Sequence, residues 1–281
     1  MSPARAGPSG SALGVDEKRD AFRQLHESGC FVIPNPWDIG SARYLASLGF
    51  KALATTSSGY AWSRGRTDNH MTLEEVLHHL EEMAASVEVP LNADFEGGFA
   101  ADPAGVAANV RRAVATGVAG LSIEDSTGEA TVPLFEFDLA VERVRAAAGA
   151  VAGTGVTLVA RSEGFITGRP DLAETVRRLT AYAEAGADCL YAPGIRTREE
   201  ITAVVRAVAP KPVNVLVGSD FTTVADLASL GVRRISVGGA LARAAWGGFA
   251  RAAAELARAG TFAGFATALS YAELEGLFER A

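Results

Sequence analysis

Pro90-Leu91-Asn92-Ala93-Asp94-Phe95-Glu96-Gly97-Gly98-Phe99 is the stretch from which the fold can be read. An apolar run carries the chain into Asn92 and Asp94, then breaks at Gly97 and Gly98. Residues two apart on a strand face the same way, so Asn92 and Asp94 project together where the strand gives way to a glycine-rich loop. Parallel sheets build metal or polar-substrate sites in this way, at the C-terminal edge. The same stretch also reads as a strand followed by a solvated acidic turn, and the rest of the chain decides between the two.

Outward in both directions the pattern repeats. Strand-like runs fall at 30–34, 52–56, 120–125, 157–161, 189–192, 212–216 and 234–238. Helical periods fall between them. Asp38 caps one over 39–47, Thr72 and Glu75 form a capping box for one over 72–87, and Asp102 with Pro103 opens one over 102–116. Further helices are expected at 15–27, 138–148, 171–185, 198–208, 224–230 and 240–259, while 62–70 reads as irregular. Eight strands alternating with helices through short connections imply an α/β fold, a (β/α)8 TIM barrel. A doubly wound open sheet would carry a glycine-rich fingerprint after its first strand, and none is present. The expected organisation is a disordered tail over 1–15, a barrel over 16–259, and a helical extension over 260–281 that packs on the barrel or on a partner subunit.

Composition narrows the function. A 281-residue chain with net charge −7 argues against non-specific nucleic-acid binding, which needs a basic face. No apolar run approaches the roughly 20 residues of a membrane span, and the first 15 residues lack a signal-peptide core. Two isolated cysteines, Cys30 and Cys189, fit a reduced, cytoplasmic protein, and their place beside strands reads as buried thiols. His78 and His79 lack a partner histidine four residues on and read as surface or packing residues.

In such a barrel the strand C-termini meet at one face. That gathers Thr56, Ser57, Ser58, Asp68, Asn92, Asp94, Glu96, Glu124, Asp125, Arg161, Glu163 and Asn214. Several carboxylates in one mouth repel one another unless a cation sits among them. Oxygen ligands without histidine point to Mg2+ or Mn2+. Arg161 supplies a fixed positive charge, and the hydroxyl-rich turn after Thr55 exposes backbone N–H groups. Together these make a receptor for a small anionic oxo- or hydroxy-acid, able to stabilise an enolate. Taken singly, Asp68 in a loop is more often a turn or surface acid, Glu96 and Asp125 also read as solvated acids, and Arg161 as a structural partner of Glu163.

At these residues the sequence resembles the isocitrate lyase/phosphoenolpyruvate mutase superfamily. The stretches that carry the resemblance are NPWDIGSAR (35–43), ATTSSGYAWSRGRTD (54–68), NADFEGGF (92–99), GLSIEDS (120–126), VARSEGF (159–165), AYAEAGADCL (181–190) and PVNVL (212–216). The resemblance implies a (β/α)8 barrel whose last helix is swapped between subunits of a homodimer or homotetramer. It implies Mg2+ or Mn2+ and a 2-oxo or 2-hydroxy carboxylate substrate. Carried over by position, Thr56, Ser57 and Ser58 bind the substrate; Asn92, Glu96 and Asn214, gathered at the same strand ends, are expected to line it. Asp68, Asp94 and Glu124 form the metal site. Arg161 neutralises the enolate, and Glu124, Asp68 and Glu163 complete the catalytic group.

The departures are specific. The family's first metal aspartate falls on Asn92, and a mutase histidine falls on Pro193. The loop 126–134 lacks the lyase Lys-Lys-Cys motif and the mutase lysine and asparagine. Isocitrate cleavage and phosphoenolpyruvate mutation are therefore disfavoured. A carbon–carbon lyase working through an enolate is expected, by oxaloacetate-type decarboxylation or by retro-aldol cleavage with Glu96, Glu124 or Glu163 as acid and base. A phosphonopyruvate-type hydrolase or phosphonomutase-like enzyme is the alternative, and a non-catalytic oxo-acid binding protein is the third reading.

Overall fold

The computed structural model describes residues 13–279. The expected tail falls mostly on residues outside these, and Val15, given to it above, already opens the first helix. The strands are β1 (Phe31–Ile33), β2 (Leu53–Ala54), β3 (Leu91–Asp94), β4 (Gly120–Glu124), β5 (Thr157–Arg161), β6 (Cys189–Tyr191), β7 (Val213–Leu216) and β8 (Arg234–Ser236). All pair in parallel, in the order β1-β8-β7-β6-β5-β4-β3-β2. This is the nearly closed eight-stranded barrel expected of the alternating pattern. At the seam between β1 and β2 the Ala54 N–H donates to the Pro34 carbonyl at 3.1 Å, and the Asn35 amide donates to Thr55 O at 2.9 Å. Pro34 and Pro36 have no N–H to extend that ladder.

The helices are α1 (Val15–Glu27), α2 (Ile39–Ser47), α3 (Ser57–Ser63), α4 (Leu73–Ser86), α5 (Pro103–Ala115), α6 (Phe137–Val151), α7 (Leu172–Glu184), α8 (Arg198–Val208), α9 (Val224–Ser229), α10 (Ala240–Ala259) and α11 (Tyr271–Phe278). Asp38, Thr72 and Asp102 cap α2, α4 and α5 through their side chains, as their spacing predicts. Helix α3 was not expected. Thr56 caps it by accepting from Gly59 N, turning the hydroxyl-rich stretch into a first helical turn.

Alternate strand residues divide the core. Leu91, Ala93, Leu121, Ile123, Leu158, Ala160, Leu190, Val213 and Ile235 pack outward against the helices. The inward set is divided: Asn92, Gly120, Ser122, Thr157, Asn214, Arg234 and Ser236 are small or polar, while Val159, Cys189 and Tyr191, with Leu216 against them, form a small apolar cluster. Helix α1 lies across the N-terminal end of the strands. Its Arg19 donates to the carbonyls of Val114, Val118 and Thr154, and Lys18 to those of Ala84 and Val87. Its Phe22 is fully buried beneath Ile33, Ala52 and Ala54.

Helix α10 behaves differently from the others. Of its 20 residues Ala242 alone is buried, and Trp246 and Phe249 are 45 % and 63 % exposed. A 3-10 turn over Ala263–Thr267 packs on it, and α11 returns to touch α2. No helix among the described residues is long and apolar enough to cross a membrane. Cys189 is buried and Cys30 half-buried, and neither forms a disulfide. His79 is buried and stacks on Tyr60 at 3.8 Å, while His78 faces solvent, so both are packing or surface residues.

Candidate active site

Strands β3, β4 and β5 deliver their last inward residues to one point. Asp94 stands opposite Ser122, and Glu124 stands opposite Arg161. The Arg161 guanidinium meets three carboxylates: Asp94 at 2.7 Å through Nη1, Glu124 at 3.2 Å through Nη2, and Glu163 at 2.8 Å through Nε. Its flat face lies over Tyr191, 5.1 Å from the ring centre. The second Asp94 oxygen accepts from Ser57 N–H at 3.0 Å, and Asp94 N–H donates to Thr55 Oγ1 at 2.9 Å. The acid of β3 is thus tied to the start of α3. Thr56 Oγ1 and Ser58 Oγ are 3.1 Å apart on that turn.

One guanidinium does not offset this many acids. Burial works against the Arg161 charge, but Glu163, Glu124 and Asp94 outweigh it and hold the group protonated. Burial raises Glu124 well above its usual range, and it raises Glu163 as well. Asp68 is raised by burial and then by the Asp94 charge. Glu96 is pushed up to about 8 by burial, then by Asp94 and Asp68. The Glu96 backbone also sits in the left-handed region at φ 48°, a strained setting for a non-glycine residue. Gly98, at φ 75°, makes the neighbouring turn without that strain.

A cavity of about 150 Å3 opens beside Arg161, lined by Thr56, Ser57, Ser58, Asp68, Asn92, Asp94 and, deeper, Arg234 and Ser236. It is smaller than typical ligand pockets, which begin near roughly 300 Å3, and so suits a ligand of few atoms. Glu96 and Glu124 line an adjoining cavity with Ser126 to Glu129 of the loop after β4. That loop is pinned at its base by a Ser126–Leu134 bridge. Behind it a larger cavity, about 920 Å3, is walled by Pro133, Phe135, Arg169 and Arg178 and contains none of the Arg161 partners.

Among the described residues no three His, Cys, Asp or Glu side chains form a ready metal cluster. Asp94 Oδ1 and Glu124 Oε2 are instead drawn onto Arg161. The donor chemistry nevertheless fits a hard divalent ion. Every donor is oxygen, and the raised proton affinities of Asp68, Glu96 and Glu124 mean that these acids hold protons where Arg161 alone does not offset them, protons that a bound cation would displace.

The structure brings Thr56, Ser57, Ser58, Asp68, Asp94 and Arg161 to one cavity, with Glu124 and Glu96 on its flank. Glu163 is buried behind Arg161 and holds its Nε. Asp125 is not a solvated acid. It accepts from Glu163 N–H at 2.8 Å, from Tyr182 OH at 2.7 Å and from Arg178 at 3.2 Å. Asn92 lies deeper, under an arginine. Asn214 is fully buried on β7, donates to Ser236 Oγ at 2.9 Å and does not line the cavity, so its expected place among substrate ligands is not where its side chain sits. Sequence reasoning missed Arg234, although a lone strand holding Arg233-Arg234 must turn one of them inward.

Comparison with known proteins agrees with this fold. The profile of the phosphoenolpyruvate phosphomutase family matches residues 22–257. A solved structure from Burkholderia cenocepacia J2315, provisionally called a lyase/mutase, is 47 % identical with a TM-score of 0.92, covering 94 % of this chain and 97 % of that one. Oxaloacetate decarboxylase of Rhodopseudomonas palustris (strain BisB5) is 29 % identical, covering 78 % of this chain and 77 % of that protein. Phosphonopyruvate hydrolase, solved with oxalate and Mg2+, is 28 % identical with a TM-score of 0.83, covering 94 % of this chain and 95 % of that one.

Proposed function

The chain belongs to the phosphoenolpyruvate phosphomutase family, and from that premise we propose that it is an Mg2+-dependent carbon–carbon lyase acting on a small 2-oxo or 2-hydroxy carboxylate through an enolate. Family members of this kind are enzymes. The observation that carries the reading is Arg161 set among Asp94, Glu124 and Glu163 at the strand ends, facing the Thr56–Ser58 turn across a small cavity. Mn2+ is the alternative ion, and Asp68, Asp94 and Glu124 would hold it. When bound, the metal would supply a Lewis acid for the 2-oxo group.

The chain's own residues do the rest. Thr56, Ser57 and Ser58 receive the substrate carboxylate through their hydroxyls, the Ser57 N–H being held by Asp94. Arg161 offsets negative charge as it grows on the enolate oxygen. Glu163, itself positioned by Asp125, keeps the guanidinium plane fixed. In oxaloacetate-type decarboxylation the C3–C4 bond breaks, CO2 leaves, and water protonates the enolate. That route asks little of the loop 126–134, which has no cysteine or lysine. In retro-aldol cleavage Glu96, Glu124 or Glu163 would serve as acid and base. Likeness to phosphonopyruvate hydrolase favours a second reading, cleavage of a carbon–phosphorus bond on the same scaffold. A binding protein without turnover is the third.

The exposed apolar face of α10 fits a helix swapped between the subunits of a homodimer or homotetramer. The two unpaired cysteines fit a reducing, cytoplasmic location. A panel of oxaloacetate, 2-hydroxy diacids and phosphonopyruvate, assayed with Mg2+ and with EDTA, tests the reading. Metal-dependent release of CO2 or an aldehyde supports the lyase, release of inorganic phosphate replaces it with the hydrolase, and no turnover on any member contradicts both.

A further inference from the structure

The chemistry above leaves one buried charge without a task. Arg234 opens β8, is 3 % exposed, and lines the deep end of the cavity that Arg161 borders. Its Nη1 donates to Asn92 Oδ1 at 3.3 Å, and its Nε has no partner. None of the ion pairs among the described residues includes it, whereas Arg161 alone takes three. The nearest acid of the cavity, Asp94, is already committed to Arg161 and to Ser57 N–H. Asn214, paired in register with Arg234 on the next strand, is fully buried with its Oδ1 unpartnered.

A water molecule can satisfy a guanidinium N–H, but it does not offset a buried positive charge. An aspartate at position 92 would have the reach of the asparagine and would close the ion pair within the chain. The amide at 92 instead leaves the charge open to something from outside. The contact also depends on Gly120, since a Cβ there would lie 2.8 Å from Asn92 Oδ1.

We infer that the deep end of this cavity is a small-anion site centred on the Arg234 guanidinium, which Asn92 holds through its Oδ1 while its own Nδ2 donates to Ala93 O at 3.0 Å, and that it takes one singly charged group, either a carboxylate of a bound ligand or a free halide. The cavity's volume of about 150 Å3 admits no bulkier anion beside a substrate. The site does not depend on the lyase reading, because a halide needs no turnover to occupy it.

Bromide soaked into crystals of the full chain is the direct probe. The expected result is an anomalous peak against the Arg234 guanidinium in the wild type, absent in Asn92→Asp and in Arg234→Met. Chloride should raise the wild-type unfolding midpoint more than that of either variant. Asn92→Asp keeps the test open if Arg234→Met does not fold. Oxalate binding then separates the two sources. If chloride weakens oxalate by about tenfold or more, a ligand carboxylate uses the site. If oxalate binds unchanged, a resident halide does, and both results support an anion site. Water alone at Arg234, with equal chloride response in all three proteins, overturns it. A bromide peak in a protein that neither binds oxalate nor turns over any substrate of the panel would leave the anion site standing and remove the lyase reading.

Discussion

Strands β3 to β5 and strands β7 and β8 line opposite sides of one interior, yet they handle charge in opposite ways. On the first side three carboxylates crowd a single guanidinium, and Asp68 and Glu96 stand close by. On the second a buried guanidinium meets an amide and, 5.9 Å from its centre, the Phe22 ring, with no carboxylate partner among the described residues. Neither side is balanced within the chain. The acidic side asks for a cation at the mouth, and the cationic side asks for an anion beneath it. An interior built for stability alone would pair these charges or replace them with apolar residues, which is often neutral or stabilising. The imbalance is the physical mark of a site made to hold ligands.

The largest effect should come from breaking the acidic side. Asp94→Ala removes an Arg161 partner, the anchor of the Ser57 turn and a proposed metal ligand together. We expect kcat/KM to fall by about 1000-fold or more, the scale of losing a principal electrostatic stabiliser. Full activity in that variant would refute the site assignment. Arg161→Lys keeps the charge but cannot fork to three acids, so steady-state kinetics should show a loss of about 100-fold. A drop of less than threefold would mean that the planar fork is not needed.

Asp125→Asn tests the support behind this side. The change leaves Arg178 without its buried carboxylate partner and should cost about 3 kcal/mol in a denaturant titration. An unchanged midpoint would show that the Asp125 contacts to Arg178 and Tyr182 carry nothing. The smallest effect belongs to the cationic side. Burial, then the charge of Arg234, pushes His26 down to about 4. The folded protein therefore binds fewer protons than the unfolded chain between about pH 6.5 and 4. Stability gained from a neutral His26 is complete above that window and falls as pH drops through it, by up to about 1.4 kcal/mol per pH unit. In Arg234→Met, an NMR titration should show the His26 pKa moving upward. No movement would place Arg234 outside its electrostatic reach.

These regions also differ in how far the sequence exposes them. The strands were legible because short apolar runs end in turn residues, and the acids at their C-termini fall together by the geometry of a parallel barrel. That placed Asp94, Glu124 and Arg161 without any contact being known. Helix α3 was not legible, because seven residues give too little period and its Thr56 cap also suits a turn. Asp125 read as a solvated acid because its partners Arg178 and Tyr182 are 53 and 57 residues away. Asn214 read as a mouth residue because it shares a strand with the mouth, but its position along β7 sets it level with Arg234. Arg234 itself was hidden by convention, since paired arginines at a strand start read as its boundary.

The central claim, that the acidic side with a bound metal cleaves a carbon–carbon bond through an enolate, is tested most directly by pyruvate release from oxaloacetate. Wild type and Asp94→Ala would be compared in Mg2+ and in EDTA, after subtracting the decarboxylation that free metal itself catalyses. We predict turnover by the wild type that EDTA abolishes and that Asp94→Ala lacks. Turnover in EDTA equal to that in Mg2+, or pyruvate release that Asp94→Ala retains in full, would contradict it.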